Sequence, residues 1–73
     1  MFKKNLFGER IYNLRKEKNV PQIKLAELLG VTRTQIGDLE HGRTTTSIER
    51  LWKLADYFEV TIDYLVGRSD SRS

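Results

Sequence analysis

Phe7, Ile11 and Leu14 stand at the spacing of one helix face, with charged side chains between them, and predict a first helix over residues 6–18. Asn19 and Pro21 stop it. Two shorter runs follow, Leu25, Ala26 and Leu29, then Ile36 and Leu39, parted by Gly30 and Val31. They predict helix 2 from about Gln22 to Leu29 and helix 3 from Arg33 to about His41, closed by Gly42. Arg43 to Thr46 is polar and β-branched and reads as a loop. Ser47 opens helix 4, whose apolar stripe is Ile48, Leu51, Leu54, Ala55 and Phe58, with Trp52 beside it. A short fifth helix, capped by Thr61, carries Ile62, Leu65 and Val66 up to Gly67. The fold class predicted is all-α with five helices. Residues 1–5 form an N-terminal arm, 6–67 the domain, and 68–73 a flexible tail with nothing to bury.

The junction of helices 2 and 3 is the most specific part. Gly30 can take the left-handed conformation that ends a helix abruptly, and Ala26, one turn earlier, is small enough for a second helix to cross closely. Thr32 supplies a hydroxyl to cap helix 3. Two helices meeting across such a turn make a helix-turn-helix.

Through FGERIYNLRKEK, QIKLAELLGVTRTQIGDLEHGR and LWKLADYFEVTIDYLVG, residues 7–67 resemble the Cro/repressor-type, lambda-repressor-like helix-turn-helix domains of bacterial and phage transcription regulators. The resemblance implies a compact DNA-binding domain. It also implies that Gln22, at the start of helix 2, faces a DNA phosphate together with the helix N-terminus, the alternative being a glutamine bonded to its own backbone. Arg43 and Thr44 fall where such domains touch the DNA backbone again. Arg15 and Glu40 are implied to form an ion pair joining helix 1 to the end of helix 3, with Arg15 also able to approach phosphate. Pro21 departs from the usual serine, threonine or asparagine before the glutamine, and Gly37 from the usual serine or other side chain.

In a helix-turn-helix the second helix enters the major groove, where residues near its N-terminus meet base edges. Ile36 and Leu39 must face inward, which leaves Arg33, Thr34, Gly37 and Asp38 outward and Gln35 at the margin. Arg33 is the leading base reader, since its fork matches guanine O6 and N7; the plainer alternative is a phosphate contact or a free surface arginine. Thr34, Asp38 and Gln35 complete the base-contacting set, although Asp38 reads equally as a solvated or internally paired acid. Thr32 and Lys16 join the expected phosphate contacts, and Arg10 is a weaker one. Gly37 is an oddity, costing about 1 kcal/mol against alanine in a helix interior.

Composition narrows the classes. The 73 residues suffice for one domain, and the absence of cysteine together with a single histidine argues against disulfides and a zinc site. No stretch approaches the roughly 20 apolar residues that span a bilayer, so neither membrane nor metal is expected and the location expected is the cytoplasm, at the bacterial nucleoid. Residues 1–43 carry 9 Lys/Arg against 5 Asp/Glu, whereas residues 44–73 carry 4 against 5, and this basic half suits a polyanionic partner. Enzyme readings fail: there is no phosphate-binding Gly-rich loop, no nucleophile elbow and no paired carboxylates at a pocket. Phe7, Trp52, Tyr57 and Phe58 read as core or near-core. The expected function is a sequence-specific repressor of phage or mobile-element type. The alternative is a protein-interaction module, such as an antitoxin or adaptor, that kept the fold. No cofactor is expected. Because one such domain reads few base pairs, a homodimer on a palindromic DNA operator is expected, contacting through Ile62, Tyr64 and Val66 unless these complete the core.

Overall fold

A computed structural model describes residues 1–73. Five helices follow in order: α1 (Lys4–Glu17), α2 (Gln22–Leu29), α3 (Arg33–Glu40), α4 (Ile48–Phe58) and α5 (Ile62–Val66). There is no strand. The inner face of every helix meets one core, built around the fully buried Phe7, Ile11, Leu14, Leu25, Ile36, Leu54, Phe58 and Leu65. Val20, Val31 and Val60, each just past a helix end, pack on its edge.

All five helices close in the same way. The residue after the cap or at the cap is left-handed, at Asn19, Gly30, Gly42, Glu59 and Gly67. The next amide then reaches back five residues to a carbonyl: Val20 to Arg15, Val31 to Ala26, Arg43 to Asp38, Val60 to Ala55 and Arg68 to Asp63, at 2.9 to 3.0 Å. This is the closure that satisfies the orphan carbonyls of a helix end. Thr32, Ser47 and Thr61 cap the starts of α3, α4 and α5 by accepting an amide three residues on.

The structure departs from the sequence expectation in three places. First, α1 begins at Lys4 and not at residue 6, shortening the arm to Met1–Lys3. Its first turn is held from outside, because Asn5 packs against Gly42 after α3 and Leu6 against Gly67 after α5. Periodicity within α1 cannot show such contacts. Second, Ile48 and Trp52 lie outside the core, 71% and 60% exposed, and Tyr57 is at the surface at 37%. The buried stripe of α4 begins only at Leu51, so Ile48, in the opening turn, overhangs the core's edge. Third, residues 68–73, without apolar groups to bury, are tied by polar ones. Arg10 on α1 donates to the carbonyls of Tyr64 and Ser69 and to Asp70, and Arg72 forms a two-pronged contact with Glu17 at 2.7 and 2.9 Å. That contact holds the Glu17 carboxyl below the ordinary carboxylate range.

Gly8 has no role in the sequence reading, yet it sets the distance between α1 and α3. A Cβ there would collide with the Leu39 carbonyl oxygen and lie 2.6 Å from that of Glu40. Gly8→Ala should therefore destabilise the free protein by about 1–3 kcal/mol or more through overpacking, read from chemical denaturation. Glu59→Gly should act oppositely, raising stability by up to about 1 kcal/mol, since glycine takes the left-handed conformation at no steric cost.

Candidate nucleic-acid interface

The turn between α2 and α3 places two helices so that one side of α3 is free. Gly30 is left-handed at φ 69°, and no atom crowds the place of its missing Cβ, so backbone conformation alone requires glycine there. Ala26, 2% exposed, lies at the crossing. Thr32 and Gln35 form a reciprocal capping box: the Thr32 hydroxyl accepts the Gln35 amide at 3.1 Å, and Gln35 Oε1 accepts the Thr32 amide at 2.8 Å. Both side chains are thereby engaged at the helix start. The Thr32 hydroxyl also donates to Gln35 Oε1 at 3.3 Å, which turns its hydrogen inward, and Gln35 retains only its amide nitrogen for an outside partner.

Below the turn, three helices are joined by one polar cluster. Arg15 on α1 donates from Nε and Nη2 to the two carboxylate oxygens of Glu40 on α3, at 2.6 and 3.2 Å, and from Nη1 to the Val20 carbonyl at 3.1 Å. Gln22 on α2 donates from Nε2 to Glu40 Oε1 at 3.0 Å. The arginine and glutamate side chains are only 9% and 2% exposed, and no buried polar side-chain atom lacks a partner. Gln22 thus bonds neither to its own backbone nor solely outward; one amide hydrogen is spent on Glu40. Arg15 is covered and three of its five N–H groups are engaged, which removes most of its reach towards a phosphate.

On the free side of α3, Arg33, Thr34 and Gln35 are exposed, while Gly37 and Asp38 are half-buried. Asp38 pairs with Arg43 at 3.2 Å, so the expected acidic base reader and one expected phosphate contact face each other. Thr44 and Lys16 are exposed, the latter 5.7 Å from the Tyr12 ring centre. His41 turns back, its Nδ1 lying 2.7 Å from the Gly37 carbonyl oxygen. Arg10, weighed as a phosphate contact, is instead committed to α5 and the C-terminal residues. Arg50, without a role in the sequence reading, donates to the Leu29 carbonyl at 3.2 Å and ties α4 to the end of α2. Nothing in the local pattern of helix 4 signals that contact. Ile62, Tyr64 and Val66 are half-buried against the core, and the Tyr64 ring faces Arg10 at 4.2 Å and Arg72 at 5.5 Å.

Residues 11–65 match the family described as helix-turn-helix. The chain belongs to that family. Among helix-turn-helix relatives, it is 42% identical over 61 residues to the HTH-type transcriptional activator BcrR of Enterococcus faecalis, covering 84% of this chain and 30% of that protein. It is 38% identical over 60 residues to the cryptic phage CTXphi transcriptional repressor RstR of Vibrio cholerae, covering 82% and 54%. The chain therefore spans between about a third and just over half of these proteins. The P22 c2 repressor, solved in complex with synthetic operator 9T, superposes with a TM-score of 0.80 at 31% identity, covering 88% of this chain and 97% of that one. A transcriptional regulator from Listeria innocua has the same TM-score at 39% identity, covering 84% and 57%. The lambda-repressor-like fold expected from the sequence is the fold observed.

The buried cluster generates a stability prediction. Glu40→Ala strands Arg15 inside the domain and should cost about 3–5 kcal/mol, while Arg43→Ala, breaking an exposed pair, should cost less than about 1 kcal/mol. Urea titrations of both variants measure the difference; equal effects would contradict the division.

Proposed function

We propose that the chain is a sequence-specific double-stranded DNA-binding transcriptional regulator, a repressor of phage or mobile-element type, that lays α3 in the major groove of an operator. One observation carries this reading. Arg10, Arg15, Arg43, Arg50 and Arg72 are each engaged within the chain, which leaves Arg33 and, beyond α5, Arg68 without a side-chain partner. Arg33, at the first position of α3, is exposed and bonded to nothing, at the point where a recognition helix meets base edges. The names of the relatives and the operator complex of the P22 c2 repressor support it.

On this reading Arg33 grips a guanine, and Thr34 and the free amide of Gln35 contact neighbouring bases. Asp38 accepts from cytosine through Oδ2, Oδ1 being paired with Arg43. Lys16, Arg43, Thr44 and the second amide hydrogen of Gln22 hold phosphates, with Thr32 and Arg15 acting through position. No enzymatic step is involved. No helix is long and apolar enough to cross a membrane, and the working location proposed is the cytoplasm. Two copies occupy a palindrome, with recognition helices about 34 Å apart. Contact is through Ile62, Tyr64 and Val66; because these are half-buried, the patch is small and the pair forms on the operator.

Operator selection from a random duplex pool tests the reading. Affinity for the selected site should fall with salt by about 0.9 log unit per log unit of salt for each phosphate held, and a flat response would overturn it. Arg33→Ala should lose preference at one base pair, worth about 1–3 kcal/mol, whereas Lys16→Ala should weaken selected and random duplexes alike. Sedimentation should show a monomer alone and two protomers per palindromic duplex; one protomer at saturation would refute the dimer.

A further inference from the structure

Glycine is the least favourable residue in a helix interior after proline, and a side chain is usually omitted there for conformation or for packing. Gly37 answers to neither. It is absent from the residues with positive φ, and the nearest atom to a Cβ built on it is Gln22 Nε2 at 3.9 Å, an ordinary contact. At Gly8, by contrast, a Cβ meets two carbonyl oxygens. The space kept open at Gly37 lies outside the chain, on the free side of α3.

Helical side chains lean towards the N-terminus, so a residue at 37 would lie back over the ground between Arg33 and Thr34, one turn earlier. Leaving it bare lets a partner reach the helix backbone beside Arg33. That backbone has no polar group to spare. The Gly37 carbonyl already faces the His41 amide at 3.0 Å and His41 Nδ1 at 2.7 Å. The floor of the notch is therefore C–H, and the spare amide hydrogen of Gln22 Nε2 at its edge is taken by a phosphate on the reading above. Among the groups that bases present in the major groove, amino and carbonyl groups would find no partner on that floor, while the thymine C5-methyl would lose only water.

We propose that Gly37 is a specificity-determining position whose bare backbone receives the C5-methyl group of a thymine next to the base pair read by Arg33. The proposal rests on the DNA-binding reading above. Its test uses the full chain and the selected operator, with each thymine replaced singly by deoxyuridine, which lacks the methyl. The wild type should lose about fourfold in affinity at one such position, the worth of one methyl group. Gly37→Ala should melt higher than wild type, bind the thymine operator about tenfold more weakly, and no longer prefer thymine over uracil at that position. A flat deoxyuridine scan in the wild type, or undiminished binding by Gly37→Ala, overturns the proposal while leaving the DNA reading intact. A lower melting temperature for Gly37→Ala also overturns it, by showing an internal need for glycine. A pool that yields no preferred duplex overturns both.

Discussion

The bidentate contact between Arg15 and Glu40 is the constraint on which the arrangement of the first three helices depends. Two charges withdrawn from water are tolerated only where geometry and additional hydrogen bonds compensate for desolvation. Here the Val20 carbonyl and the Gln22 amide supply those bonds, so the loop after α1 and the start of α2 are committed to the same few ångströms as the end of α3. Apolar packing alone would permit small rotations of α3 about its axis. The polar cluster does not, because a rotation that moved Glu40 would leave Arg15 unpaired. Gly8 sets the complementary distance, letting α1 rest against the last carbonyls of α3. Orientation and spacing of the exposed face are thus specified from behind it.

Much of this was legible in the sequence because it is local. Helix periodicity, the left-handed Gly30, the small Ala26 and the cap at Thr32 each act within a few residues, and each appears where its chemistry requires. What escaped depends on partners distant along the chain. The early start of α1 needs Gly42 and Gly67, the need for Gly8 comes from Leu39 and Glu40, and Arg50 serves a carbonyl at the end of α2. The exposure of Trp52 and Ile48 could not be read from composition, since the helical spacing is satisfied whether or not the core extends that far. At the candidate site, the outward positions of α3 followed from the two inward ones, but competition among polar groups did not. Gln35 is drawn into the cap and Asp38 to Arg43, and only the folded arrangement decides between several acceptors within reach.

A tally of basic residues consequently overstates the charge available to a polyanion. The chain has a formal net charge of +3, yet most of its arginines neutralise acids or cap carbonyls. Among the arginines within the helices, Arg33 alone has no bonded side-chain partner. The six lysines and Arg68, which make no ion pair, remain for sequence-independent attraction to a duplex, and discrimination is left to geometry at base edges.

The shared closure of all five helices bears on how quickly the chain finds and leaves its native state. Each helix ends in a bond spanning five residues, and the connections between helices are short, so most native contacts join near neighbours along the chain. Domains of such low contact order fold in microseconds to milliseconds. For a domain of this size, rapid folding goes with a modest free-energy gap and frequent visits to the open chain. Any ligand bound only by the native form suppresses those visits by mass action. Protomers held on a specific ligand would then outlast free ones in the presence of proteases, and occupancy itself would govern turnover.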